Sequence, residues 1–357
     1  MTPRQAAAAL LLVALTLTFS VILPRSVPGP AASFVPGAAE ASIDEDGEPG
    51  LPAVGISVEE DLGERSAEHR LRELDELVEL GVGWVRHDVQ WDVVEPTRGA
   101  FDWSAADAVI DGARERNLHV LALLSYTPPW ANGGHDDHRY APRDPEEFGA
   151  FAGAVARRYR RLGVHAYEIW NEPNIGYWQP APDPAAYVAV LQAASRAIRE
   201  VDPGAVIVTG GTSPAGDGPG TISPHAWLRA LYEDGAKPWF DAIGHHPYVD
   251  SDVGPDSSDP GNPWFQMAGS EPSLRSIQSE YGDEDKRIWA TEVGCRRSLG
   301  DCEPRMSRAV ELWRSYPWAG VLAWFTFWDP GEYGLVEGDW TRRPIWHALR
   351  RAVREPR

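Results

Sequence analysis

Eight short apolar runs punctuate this chain, with room for a helix between each pair, and that alternation limits the fold more than any other feature. The runs are LPAVGISV from Leu51, VGWVRHDVQW from Val82, HVLALLSY from His119, AYEIWNE from Ala166, AVIVTGG from Ala205, FDAIGHHPY from Phe240, RIWATEVG from Arg287 and GVLAWFTFWD from Gly320. Most are too apolar and too short to be surface helices, which suits parallel strands buried on both faces. Between them, apolar residues recur at helical spacing: Phe148, Phe151, Ala152, Val155 and Tyr159, then Tyr187, Val190, Leu191, Ala194, Ile198 and Val201. DPEE at Asp144 offers a helix cap, a first-turn proline and a glutamate at the third position. DPAA at Asp183 and SAAD at Ser104 follow the same scheme, and RRPIWHALRRAV supplies the last helix. Strict alternation of eight strand–helix units predicts an α/β chain folded as a single (β/α)8 TIM barrel. An open dinucleotide-binding sheet would carry a glycine-rich turn after its first strand, and VGISVEEDLGE has none.

With 357 residues, 43% of them hydrophobic, the chain has ample material for one large barrel core. Its formal charge of −20 argues against nucleic acid and anionic lipid as partners and weakly disfavours a strongly acidic polymer as substrate. At the N-terminus, Arg4 precedes an apolar run from Ala6 to Leu23 and Arg25 follows it. That pattern predicts a signal peptide or membrane anchor over residues 1–23, and both stay open. AEA at Ala39–Ala41 fits a small-residue cleavage site. The Pro-, Gly- and acid-rich stretch 24–50 reads as a disordered linker and 51–357 as the barrel, secreted or held at the outer face of the cytoplasmic membrane as a monomer. In an exported protein the two cysteines, Cys295 and Cys302, read as a short-loop disulfide.

Barrel enzymes build their sites at the C-terminal ends of the strands. Here strand two ends in Arg86, His87 and Asp88, strand three in YTPPWA with Trp130, and strand four in Asn171 and Glu172. Strand six ends in His245, His246 and Tyr248, strand seven in Thr291 and Glu292, and strand eight in Trp324 and Trp328. Two carboxylates facing each other across a barrel mouth are what cleavage of a glycosidic bond needs. The leaving oxygen must be protonated while the oxocarbenium-like carbon is stabilised, so one carboxyl must hold a proton and the other must be ionised. We assign Glu172 as general acid and then base, and Glu292 as nucleophile; a separation of about 5–5.5 Å implies retention of configuration. Arg86 could hydrogen-bond Glu292 and keep it ionised. Flat tryptophan rings near strand ends, Trp130 and Trp328 among them, suit the apolar faces of pyranose sugars.

WNEPN with a later ATEVG resembles the clan of retaining glycoside hydrolases built on (β/α)8 barrels, with glutamates on strands four and seven. VRHDVQWDVVEPTRGAFDW, TPPWA and GHHPY extend the similarity over the segment from Leu51 onward, and families 5 and 39 are the most similar. The resemblance implies that Asn171 holds the sugar 2-hydroxyl, that Arg86 supports Glu292, and that His246 and Tyr248 bond the nucleophile or the substrate. It also implies a strand-eight tryptophan as sugar platform, Trp328 by its position nearer the strand end, with Trp324 as the alternative. The expected substrate is a carbohydrate with β-linked neutral sugars, and no cofactor is expected.

Other readings use the same residues. His245 and His246 could ligate a metal with His225 or the GGHDDH stretch, Gly133–His138. However, no histidine ends strand one and GGHDDH reads as a solvated loop, so no metal is expected. A sugar-binding barrel without activity would keep the cleft, and a transglycosylase would differ only in its acceptor. Cys295, three residues after Glu292, would tie down the loop after strand seven if bridged to Cys302.

Overall fold

The computed structural model describes residues 53–249 and 254–354. The expected signal or anchor (1–23) and linker (24–50) lie outside the described residues, as do the first four residues of the segment that begins at Asp250. All eight apolar runs form strands: β1 (Val54–Ser57), β2 (Trp84–Gln90), β3 (His119–Ser125), β4 (Ala166–Ile169), β5 (Val206–Thr209), β6 (Ala242–His245), β7 (Arg287–Val293) and β8 (Ala319–Phe325). They pair in sequence order, all parallel, and β8 closes on β1. The chain is a single (β/α)8 barrel.

Each strand is followed by a main helix: α1 (Ala67–Leu80), α2 (Ser104–Glu115), α3 (Pro145–Tyr159), α4 (Pro184–Val201), α5 (Pro224–Glu233), α6 (Leu274–Glu280), α7 (Cys302–Ser315) and α8 (Pro344–Arg354). The caps explain several starts. Asp144 accepts from the Glu146 amide and Asp183 from the Ala186 amide, each with a proline in the first turn. Ser104 departs from the expected scheme. It is already the first residue of α2, so its hydroxyl caps nothing, and its amide donates to Asp102 Oδ1 at 2.9 Å.

Two apolar layers hold the barrel. Trp84, Leu121, Ala166, Val208, Ala242, Trp289 and Val321 fill its interior floor. The opposite strand faces, Val85, Ile169 and Ile207 among them, pack with Phe151, Leu191, Val310 and Leu349 of the helix ring. Each such side chain contributes about 1.5–3 kcal/mol when fully buried. Above the floor the interior turns polar, starting with Arg86 on β2 and Glu168 on β4.

The pairing of β7 with β8 is irregular, with register shifts between Ile288 and Ala290 and between Ala290 and Val293. In a regular strand, neighbouring side chains point to opposite faces. The irregularity lets the successive residues Thr291 and Glu292 both reach into the mouth, where each bonds a residue of another strand. Among the described residues no helix is long and apolar enough to cross a membrane.

Candidate active site

Arg86 organises the mouth. Its Nε donates to Glu168 Oε2 at 2.6 Å, Nη1 to Glu292 Oε1 at 2.7 Å and to Ser57 Oγ at 3.0 Å, and Nη2 to Asn171 Oδ1 at 2.9 Å. One guanidinium thus fixes groups from β1, β4 and β7 and Asn171, two residues past β4, a task for a planar fork of donors. Because Asn171 uses its oxygen on Arg86, its NH2 remains as the donor, with the Tyr126 hydroxyl within its reach. Glu168 is fully buried and also accepts from the Gly211 amide and the Thr291 hydroxyl, both at 2.9 Å. The motif reading passed over Glu168. The signal was present, since a glutamate inside an apolar strand needs a buried partner and Arg86 is the cation at hand.

Glu172 sits on a strained turn. Trp170 has φ 72° and Glu172 φ 43°, left-handed values that non-glycine residues rarely adopt. The turn is pinned by the Glu172 amide, which donates to Gly211 O at 3.0 Å. Gly211 is required for space: a Cβ there would collide with His246 Nε2 and lie 2.5 Å from Thr291 Oγ1. The turn brings the Glu172 carboxylate over the mouth, within 3.0 Å of His246 Nδ1.

His246 joins the two carboxylates. Its Nε2 lies 3.1 Å from Thr291 Oγ1, whose proton is donated to Glu168, so Nε2 carries a hydrogen and donates. Nδ1 then faces Glu172 Oε1 at 3.0 Å and Glu292 Oε2 at 3.7 Å. Burial alone would lower the His246 pKa, but the charges of Glu292 and Glu172 more than offset it and raise the value. The two carboxylate oxygens lie no further apart than those two distances laid end to end, about 6.7 Å, which is the bottom of the ~6.5–9.5 Å span of inverting pairs and close to the ~5–5.5 Å of retaining ones.

Glu292 is held ionised. Burial would raise its pKa, but His246, Arg86 and the Tyr248 hydroxyl together bring it below the usual glutamate value. Tyr248 donates to Glu292 Oε2 at 2.6 Å, and burial beside that charge raises its own pKa well above the ordinary tyrosine value, so it stays a donor.

The aromatic candidates fall into two groups. Trp91, Trp170, Trp178, Trp264 and Trp324 are buried in the core. The alternative platform, Trp324, is therefore corrected: it lies on the helix-facing side of β8 and has no exposed face. Trp328 is half-buried, edge-on to His69 and under the Arg65 guanidinium. Trp130 is half-buried; its Nε1 donates to Glu95 O at 2.9 Å and Arg98 covers its ring. The ring that β8 sets beside Tyr248, the partner of Glu292, is Phe325, which packs with Tyr248 at 6.3 Å and Tyr333 at 5.6 Å. Counting alternate residues from the interior Val321 through Ala323 finds Phe325, whereas choosing tryptophans by size misses it. Tyr177, exposed on the loop after Glu172, stacks on Tyr126.

Cys295 and Cys302 form a disulfide that ties the end of β7 to the first residue of α7. His138 pairs with Asp92, and His225 lies 3.0 Å from Gln266 O. Among the described residues no three His, Cys, Asp or Glu are grouped to hold a metal ion.

Comparison with known proteins places this geometry. The model of the cellulase family, glycosyl hydrolase family 5, matches residues 72–329. Similar solved structures include a family 39 glycoside hydrolase from Bacteroides cellulosilyticus, 21% identical at a TM-score of 0.67, with 85% of this chain and 64% of that one covered. A monomeric β-xylosidase from Caulobacter crescentus is 20% identical at 0.64, with 84% and 68% covered. A family 5, subfamily 18 protein from Streptomyces cattleya, solved in complex with GlcNAc, is 18% identical at 0.66, with 85% and 80% covered. The chain spans slightly less than two thirds of the length of the first of these, and at such identities the likeness concerns the fold.

Proposed function

The chain belongs to the cellulase family, glycosyl hydrolase family 5, and we propose that it cleaves O-glycosidic bonds of an oligo- or polysaccharide with retention of configuration, the resemblance pointing to β-linked neutral sugars. The observation that carries this reading is the approach of Glu172 and Glu292 to the same nitrogen of His246.

Glu292 attacks the anomeric carbon as the glycosidic C–O bond breaks, and the departing oxygen takes the proton of Glu172. The product is a glycosyl ester of Glu292. Water then attacks the same carbon and gives its proton to Glu172, and the ester bond breaks to return the Glu292 carboxylate. Arg86 and Tyr248 orient the two oxygens of that carboxylate, and the Asn171 NH2 is placed to hold the sugar 2-hydroxyl. Phe325, Tyr333 and Tyr177 offer ring faces for the sugar in place of a buried tryptophan.

A 2-fluoro glycosyl inactivator should esterify Glu292 and leave a mass increment on its peptide. Labelling of any other residue overturns the assignment. Export as a secreted or membrane-held monomer is part of the same proposal and rests on the N-terminal sequence. N-terminal sequencing after expression in a secreting host, with light scattering on the product, tests it.

A further inference from the structure

Asp88 lies two residues beyond Arg86 on β2. The alternation that turns Trp84 and Arg86 into the barrel turns Asp88 the same way, one step nearer the mouth. Its surroundings are those of the site: Arg86, Glu60, Glu292 and Glu168 act on its charge, and Asp88 in turn acts on the Tyr126 hydroxyl. Burial, moderated by Arg86 and reinforced by the three glutamates, pushes its carboxyl up to about 7.

The bonding differs from that of its neighbours. Glu168 accepts three hydrogen bonds, while no hydrogen bond or ion pair among the described residues reaches the Asp88 carboxylate. Asp88 is half-buried, an acceptor at the mouth that no donor among the described residues occupies. It becomes useful if the donors come with the substrate.

We infer that Asp88 is a specificity-determining residue whose carboxylate accepts hydrogen bonds from ring hydroxyls of the sugar that Glu292 attacks. This rests on the glycosidase reading above. Two carboxylate oxygens can take two neighbouring hydroxyls, on the β2 side of the mouth, while Asn171 serves the β4 side. The same carboxylate disfavours a uronic acid in that position, because it would set two like charges together.

The test compares wild type, Asp88→Asn and Asp88→Ala on the best-hydrolysed 4-nitrophenyl β-glycoside of the gluco, galacto, manno and xylo series and on its monodeoxy analogues. Removing the acceptor should lower kcat/KM for the parent glycoside about 10–100-fold, with melting temperature retained in the near-isosteric Asp88→Asn. In wild type, deleting the hydroxyl that Asp88 holds should cost a similar factor. In Asp88→Ala, deleting that hydroxyl should cost little, because its partner is already gone. Equal losses for every analogue in wild type and variant overturn the inference while leaving the glycosidase reading intact. If wild type turns over neither these glycosides nor β-linked oligosaccharides of the same four sugars, or if Glu292→Gln leaves turnover unchanged, the glycosidase reading falls and the inference falls with it.

Discussion

The two sides of the barrel mouth are built in opposite ways. On the β4–β7 side the carboxylates are already bonded: Glu168 to Arg86, Gly211 and Thr291, Glu292 to Arg86 and Tyr248, and Glu172 to His246. On the β1–β2 side, Asp88 and Glu59 have no such partners among the described residues, and burial drives each carboxyl up to about 7. The first side has its geometry fixed before any substrate arrives, which is what an electrostatic site needs to stabilise developing charge. The second holds acceptors in reserve. On the proposed reading, chemistry and recognition are separated across one opening, and substitutions on the two sides should behave differently.

The largest effects belong to the bonded side. Glu172→Gln and Glu292→Gln should each lower kcat by at least about 10³-fold, because neither amide can transfer a proton or attack carbon in the same way; Glu172→Gln should leave the melting temperature little changed, whereas Glu292→Gln also removes a counter-charge of the buried Arg86 and should melt lower. Steady-state kinetics beside a thermal melt checks this, and a large loss of stability in Glu172→Gln would contradict it. The two variants should then differ from each other. A glycoside with a very good leaving group needs no proton donor for the first step, so Glu172→Gln should still show a burst of released aglycone and Glu292→Gln should not.

Next comes the root of the network. Glu168→Gln leaves the buried Arg86 cation with one fewer counter-charge, and removing one partner of a buried pair costs about 3–5 kcal/mol. Denaturant unfolding should show that loss, accompanied by a fall in kcat as Arg86 loses its fixed position. Glu168 and Glu292, both partners of Arg86, therefore couple stability to activity, whereas Glu172 touches activity alone.

What the sequence disclosed follows the same division. Strands were legible because parallel barrel strands are apolar on both faces, and AYEIW or GVLAWF has no other economical use. Glu172 and Glu292 stood out because a carboxylate at the mouth end of such a run has no reason to be there for packing. Glu168 was hidden by its setting, since inside AYEIW it looks like a blemish in a strand until Arg86 is seen to face it. The left-handed backbone at Trp170 and Glu172 had no signature either, because neither residue is a glycine. Trp324 and Phe325 show a limit of another kind: residue type suggested the tryptophan, but strand alternation decided which ring faces the mouth.

The disulfide tests how far the bonded side depends on its loop. Breaking a bridge of sequence separation 7 frees a short loop in the unfolded chain, an effect of about 2–3 kcal/mol on stability. Gly294 lies between the bridge and Glu292, close against Tyr248, Phe325 and Tyr333. The double variant Cys295→Ser, Cys302→Ser should therefore melt lower and lose a few-fold in kcat. An unchanged kcat would show that Arg86, His246 and Tyr248 position the nucleophile without help from the loop.

The smallest effect is on the open side, and its sign is the informative part. The Asp88 carboxyl moves from an ordinary 3.8 to about 7 on folding, so the folded state keeps a proton that the unfolded state releases. Below about pH 3.8 both states are protonated and Asp88 contributes nothing to the pH dependence. Between about pH 4 and 7 the unfolded chain ionises first, and stability falls as pH rises. Above pH 7 both states are ionised and the full cost persists. Asp88→Asn removes this titration but keeps the shape, and any cost of an unbonded amide is the same at every pH. The melting temperature of the variant relative to wild type should therefore climb from pH 4 to pH 7 and then level off. Glu59, present in both proteins, contributes to both curves and drops out of the difference. A difference that is flat across this window would mean that Asp88 finds donors in the free protein, and the contrast between the two sides of the mouth would then disappear.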